Sequence, residues 1–254
     1  MTQTLLLHQL RFDLIAIRRN RRATFFILLL PLLLLVTFAG LFGSQAVEVA
    51  GHSVAADRAS VPGIMGLAVL TSSFMALVMN VVAQREIGIL KRRRATPCPA
   101  WILVASRALT ATVAAVVACG AMVVVAGAAF GIHPPPGGPL PALLAVVAGS
   151  LCFAACGFLA AALLRSVEAG QPVLQAGLLP LQMVSGVYFP TSQLPDWLRA
   201  VGAAFPLTHL VDALQHAWLP TGAEIAWGDL GSLALWGAAA ALIPARRFAW
   251  LPRR

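Results

Sequence analysis

Residues 84–97 read Gln84-Arg85-Glu86-Ile87-Gly88-Ile89-Leu90-Lys91-Arg92-Arg93-Arg94-Ala95-Thr96-Pro97. The segment is basic, short, and set between two long apolar runs. Six such runs occur, at 24–43, 62–83, 102–131, 142–164, 172–190 and 229–249. Each is at or near the ~20 residues that a helix needs to cross a ~30 Å hydrocarbon core. Threading the chain back and forth through them sorts the cations. Sixteen of the 18 Lys and Arg fall on the side of 84–97, and Arg58 and Arg199 fall on the other. Cytoplasmic loops carry the excess of Lys and Arg, so the 84–97 side is read as cytoplasmic, with both termini inside. The expected fold is an all-α membrane protein of six transmembrane helices, forming one domain over 1–254, because a spanning helix satisfies its own backbone.

Composition agrees. Of 254 residues, 59% are hydrophobic and 11% charged, against about 25% charged in a soluble domain. The net charge of +9 follows membrane sidedness, and no basic face is interleaved with aromatics to stack bases. Nucleic acid is therefore excluded as a partner. Cys98, Cys119, Cys152 and Cys156 fall in spans or at the cytoplasmic edge, where a structural disulfide is not expected. Cys152 and Cys156 share a helical face, and small-residue packing explains them better than a metal. Arg18 to Arg22 precede an apolar run, and Ser44-Gln45-Ala46 could pass as a cleavage site. The run is longer than the 7–15 residues usual for a signal peptide, so a first span is expected.

Residues 1–23 read as a cytoplasmic interfacial helix. Leu6, Leu10, Leu14 and Ile17 lie on one face, with His8, Arg11, Arg18 and Arg22 roughly opposite. Such a helix can rest among lipid headgroups. The loop 44–61 is small and polar, and the turn at 132–141 is stiffened by Pro134, Pro135, Pro136, Pro139 and Pro141. Trp101 and Trp250 fall at the inner interface, and Trp197, Trp218 and Trp227 at the outer one. The segment 191–228 holds two helical patterns, about 194–204 and 207–219, split by Pro206. Each is too short to cross and too apolar for water. An external re-entrant helical hairpin is expected, with Pro195, Trp197, Pro206, His209 and Asp212 as its marked positions.

Catalytic chemistry is hard to find. Lys91 is the single lysine, it follows no glycine loop, and no G-x-x-x-x-G-K-[ST], G-x-S-x-G or H-E-x-x-H occurs. His209, Asp212 and His216 share a face and could converge on a metal, although a face that simply meets water is the plainer reading. Two polar stripes lie inside spans: Gly66, Ser73, Asn80 and Gln84 in the second, and Gln171, Gln175 and Gln182 in the fifth. Such groups line a path or bond neighbouring helices. No acidic residue sits mid-span, so the energy for any transport is expected from elsewhere.

The order of these features resembles the ABC-2 type permeases, the membrane halves of bacterial ABC exporters of the daunorubicin-resistance and polysaccharide-export kind. Glu86-x-Gly88-x-Leu90-Lys91-Arg92-x-Arg94-x-Thr96-Pro97 is similar to that family's E-x-G-x-L-K-R-L-R-x-T-P. Ser185-Gly186-x-x-Phe189-Pro190, then Leu194-Pro195-x-Trp197-Leu198 and Pro206-Leu207-Thr208-His209-x-x-Asp212-Ala213-Leu214, is similar to its S-G-x-x-F-P, L-P-x-W-L and P-L-T-H-x-x-D-A-L-R. The chain departs at Gln215-His216, where many members carry Arg. The resemblance implies a bacterial cell-membrane permease that works with a cytosolic ABC ATPase and a second permease subunit. It implies a coupling helix within 84–97, with Glu86, Ile87, Ile89, Leu90, Arg92 and Arg94 as candidate ATPase contacts. No cofactor is expected in this chain. Ser73, Asn80, Gln175 and Gln182 are the candidates for the translocation path. A multi-span enzyme acting on lipid and a non-transporting membrane subunit are the competing readings.

Overall fold

In a computed structural model, described residues are 2–43, 45–49, 52–89, 100–164, 166–189, 191–218 and 224–245. Helix α1 (Thr2–Arg19) leads into α2 (Arg21–Thr24), a π-helical turn (Phe25–Leu29) and α3 (Leu30–Phe42). Strands β1 (Ala46–Val49) and β2 (His52–Ala55) form an antiparallel hairpin that pairs Ala46 with Ala55 and Val49 with His52. Then come α4 (Ala56–Leu70), a second π-helical turn (Thr71–Met75), α5 (Ala76–Glu86), α6 (Ala100–Phe130), α7 (Pro139–Leu163) and α8 (Val167–Val184). The chain closes with α9 (Asp196–Ala203), α10 (Pro206–Trp218) and α11 (Trp227–Ala245).

Among the described residues, four helical stretches are long and apolar enough to cross a membrane: Phe25–Phe42, Ala56–Glu86, Trp101–Phe130 and Pro139–Leu163. The second starts six residues before the expected 62, because Pro62 is carried inside the helix. The expected polar loop 44–61 is thereby shortened to the β-hairpin. Helix α8 is displaced likewise: it begins at Val167, where Ser166 Oγ accepts from the Ala169 N–H, and stops at Val184 rather than 190. The residues after 245 that the sequence assigns to the last span lie outside the described set.

The two π-helical turns have local causes. Pro31 follows the first, and a wider turn relieves the clash of its ring with the preceding turn. In the second, Thr71 Oγ1 donates to Leu67 O at 2.9 Å and Ser72 Oγ to Ala68 O at 2.7 Å. Such back-bonding competes with the helical ladder.

The core lies where α4, α6, α7 and α10 meet. Every residue from Val61 to Leu70 is buried. Leu207, Leu210, Val211 and Leu214 of α10 are at most 1% exposed, so this short helix is inserted into the bundle. Glycines make the room. A Cβ at Gly149 would stand 2.7 Å from Leu210 Cδ1, and one at Gly66 would stand 2.9 Å from Val211 Cγ2. Helix α9 behaves differently, with Trp197 and Val201 exposed, as is Phe205 in the turn after it. The β-hairpin, the turn after Phe130 and helices α9 and α10 share one end of the bundle. Helix α1, the end of α5 and the α7–α8 turn share the other.

Candidate translocation path and coupling surface

At the α1 end the structure builds a polar cleft of about 140 Å³. Its walls are α1, the second π turn with α5, and α6. Asp13, Asn20, Ser72, Asn80, Gln84, Arg107 and Thr110 supply the polar groups, and Ile27 and Leu77 supply apolar wall. Arg107 is buried and donates to Gln84 Oε1 at 2.6 Å. Asp13 accepts from Gln9 Nε2 at 3.0 Å and from Ser106 Oγ at 3.3 Å. The Ser106 bond pins α1 to α6, and Leu6, Leu10 and Leu14 are half-buried. The face that the sequence assigns to lipid therefore also meets protein. Leu5, Leu7, Phe12 and Ile15 are large apolar residues of α1 that stand exposed.

The candidate path residues separate. Asn80 is exposed and lines the cleft beside Gln84. Ser73 is fully buried, with its hydroxyl 3.5 Å from Ser72 Oγ, and Ser72 is the residue that reaches the cleft. Gln175 and Gln171 sit on the exposed face of α8. Gln182 is buried near the opposite end and accepts from Tyr188 Oη at 2.9 Å. Asp13, Ser72, Arg107 and Thr110 are cleft residues that helical spacing alone does not single out. The one signal for Asp13 was an acid inside a basic helix.

The start of the 84–97 segment is built into the bundle. Arg85 is buried and donates from Nη1 to Ala161 O at 3.0 Å and from Nη2 to Leu164 O. Glu86 Oε1 accepts from the Val167 N–H at 2.9 Å. A cation thus meets the carbonyl end of α7, and an anion meets the amide end of α8. Both helix ends carry orphan groups and partial charge of the complementary sign. After Glu86 the chain turns at Ile87 and Gly88, with Gly88 at φ +73° closing the helix. Ile87 is exposed. Ile89 is half-buried, and Leu90, Arg92 and Arg94 lie outside the described residues.

At the hairpin end, His209 Nδ1 lies 2.8 Å from Asp229 Oδ1, which ties α10 to the start of α11. Asp212 has its carboxyl pushed up to about 6, chiefly by burial and then by the Asp229 charge, against the pull of His209 and His216. His216 is exposed, and no group of three or more metal-ligating side chains converges among the described residues. Pro206 opens α10, a position where its missing N–H costs nothing. Pro195 stands immediately before α9, and Trp197 is on its exposed face.

The described residues thus form a bundle of membrane-crossing helices with polar groups held inside it. The sequence model described as ABC-2 type transporter matches residues 4–219. The chain belongs to the ABC-2 type transporter family. It is also similar to Nodulation protein J of Bradyrhizobium diazoefficiens, with 36% identity over 59 residues. That match spans 23% of this chain and 22% of the relative. With four candidate spans among the described residues, the ABC-2 assignment makes the chain a multi-pass membrane protein of a transporter family.

Proposed function

We propose that this chain is the permease subunit of an ATP-driven ABC exporter. It moves an amphipathic drug, lipid or glycan-type substrate out of the cell. A separate cytosolic ATPase supplies the energy, and a second permease subunit completes the path. In this reading the chain crosses the membrane six times with both termini inside, α8 and α11 being the fifth and sixth crossings. Helices α9 and α10 form the external re-entrant hairpin, and α9 lays Trp197 and Val201 into the outer leaflet.

The observation that carries the reading is the Arg85–Glu86 clamp on the α7–α8 turn. It gives the start of the segment, at Arg85 and Glu86, a hold on two helices. A push on that segment from an ATPase at Ile87, Ile89, Leu90, Arg92 and Arg94 is passed directly to α7 and α8. The polar cleft with Asn80 and Arg107 lies on the same side and receives the substrate.

The test is reconstitution with a candidate ABC ATPase from the same organism. The two should co-purify, and vesicles holding both should export substrate only with ATP. An ATPase that neither binds the permease nor changes its turnover beside it would sink the reading.

A further inference from the structure

A second cavity, of about 250 Å³, opens at the hairpin end of the bundle. It lies between the end of α3, the β-hairpin, the start of α4 and the turn after α8. Its ring faces are Phe38, Phe42, Tyr188 and Phe189. Its polar groups are Gln45, Ser60, Gln193 and Gln215, with the Tyr188 hydroxyl turned to Gln182. Among the described residues, none that lines it carries a charge.

Gln215 is the decisive group. It is 7% exposed and lines the cavity, yet among the described residues nothing hydrogen-bonds its side-chain amide. The Ser185 hydroxyl, fully buried and next in sequence to the lining Gly186, also has no partner among the described residues. Buried polar groups are bonded as a rule, so an orphaned one asks for a partner that is absent. The site is held firmly enough to act as a template. Gly63 admits the Val187 backbone so closely that a Cβ there would stand 2.9 Å from the Gly186 carbonyl. Phe38 and Tyr188 face each other with ring centroids 6.1 Å apart.

We propose that this cavity binds a neutral, hydroxyl-bearing ring of the glycosyl type. Each glutamine amide offers a donor pair and an acceptor, which matches hydroxyls that both give and take hydrogen bonds. Aromatic walls cover the apolar face of such a ring. A mostly apolar hollow with a few fixed polar groups is the usual form of a ligand site. A charged ligand would be desolvated here with no counter-charge in the lining. Under the exporter reading, on which its placement rests, the cavity is a binding site on the exit side for the sugar-like part of the cargo.

Tyr188 is the single tyrosine of the chain, so it reports on the cavity by itself. The permease alone, in lipid nanodiscs, is prepared with 3-fluorotyrosine and followed by fluorine resonance. Methyl β-glucoside should shift the signal saturably. Methyl β-glucuronide, its anionic analogue, and the hydroxyl-free methoxybenzene should not. Gln215→Leu should weaken the glucoside response about tenfold, the effect of one lost hydrogen-bonded pair. Gln193→Ala, at the exposed edge, should weaken it less and keeps the test valid if Gln215→Leu misfolds. No saturable shift with the glucoside, an equal response to methoxybenzene, or full binding by both variants would overturn the proposal. The assay contains no ATPase, so its failure leaves the co-purification test untouched, and failure there leaves this binding result standing.

Discussion

Glu86 Oε1 holds the Val167 N–H at 2.9 Å across 81 residues of sequence. This one bond joins the segment that the resemblance assigns to ATPase contact with the first residue of α8. Arg85, one position earlier, holds the last carbonyls of α7. The α7–α8 connection is therefore gripped from both sides by two consecutive residues of α5.

Glu86→Arg should leave the protein inserted and should lower substrate-stimulated ATPase activity and export together. The substitution puts a cation against the amide end of α8, where an anion is favoured. Glu86→Ala removes only the cap and should cost about 1 kcal/mol of stability. The measurements are reconstituted vesicles for coupling and thermal unfolding for stability. Full stimulated export by Glu86→Arg would separate the clamp from energy transfer.

Asp212 makes stability depend on acidity in a definite direction. Its carboxyl titrates near 6 in the folded protein against its ordinary 3.8. A carboxyl raised in this way binds its proton more tightly folded than unfolded. Its contribution is complete below about pH 4 and is lost as pH rises through about 6. The unfolding midpoint of wild type, relative to Asp212→Asn, should fall over that window by the equivalent of about 1–3 kcal/mol. Parallel profiles for the two proteins would remove Asp212 as the cause. His209 and His216, which face it with Asp229, should be held constant in the comparison.

Asn80→Leu should change which substrates are exported while assembly stays normal. Asn80 stands exposed at the mouth of the cleft, where it can select ligands by hydrogen bonding. Gln175→Leu, on the exposed face of α8, should act instead on association with the second permease subunit. Export assays and crosslinked dimer yield separate the two. Unchanged substrates with Asn80→Leu would take Asn80 out of the path.

Orientation can be read with single cysteines in a background lacking the native four. Positions 55 and 137 should react from outside with an impermeant reagent, and 94 and 168 should not. The expectation rests on the sixteen-to-two sorting of Lys and Arg. Reaction at 94 in intact cells would reverse the topology.

Much of this protein was legible before any coordinates. Hydrophobic runs and their lengths are sums over neighbours in the chain, and they marked the four helices long enough to cross a membrane and the short helices that Pro206 separates. Helical spacing also put Asn80 and Gln84 on one face, and both line the cleft. Two readings were limited by the same locality. Hydropathy placed the ends of α4 and α8 several residues from where they lie, because a helix end is fixed by a cap or a docking contact such as Ser166 and Glu86. The stripe on α8 looked continuous, yet Gln175 is exposed and Gln182 is buried against Tyr188.

The sequence by itself determined the class: a helical membrane bundle of the ABC-2 type transporter family. Tertiary structure alone decided the partners of its polar residues. Asp13 with Ser106, Arg107 with Gln84, Glu86 with Val167 and His209 with Asp229 are 93, 23, 81 and 20 residues apart. So did the insertion of α10 into the core, which depends on Gly66 and Gly149 facing Val211 and Leu210. Periodicity tells which face of a helix is polar or small. It does not tell which other face will meet it, because that is set by how all the helices pack at once.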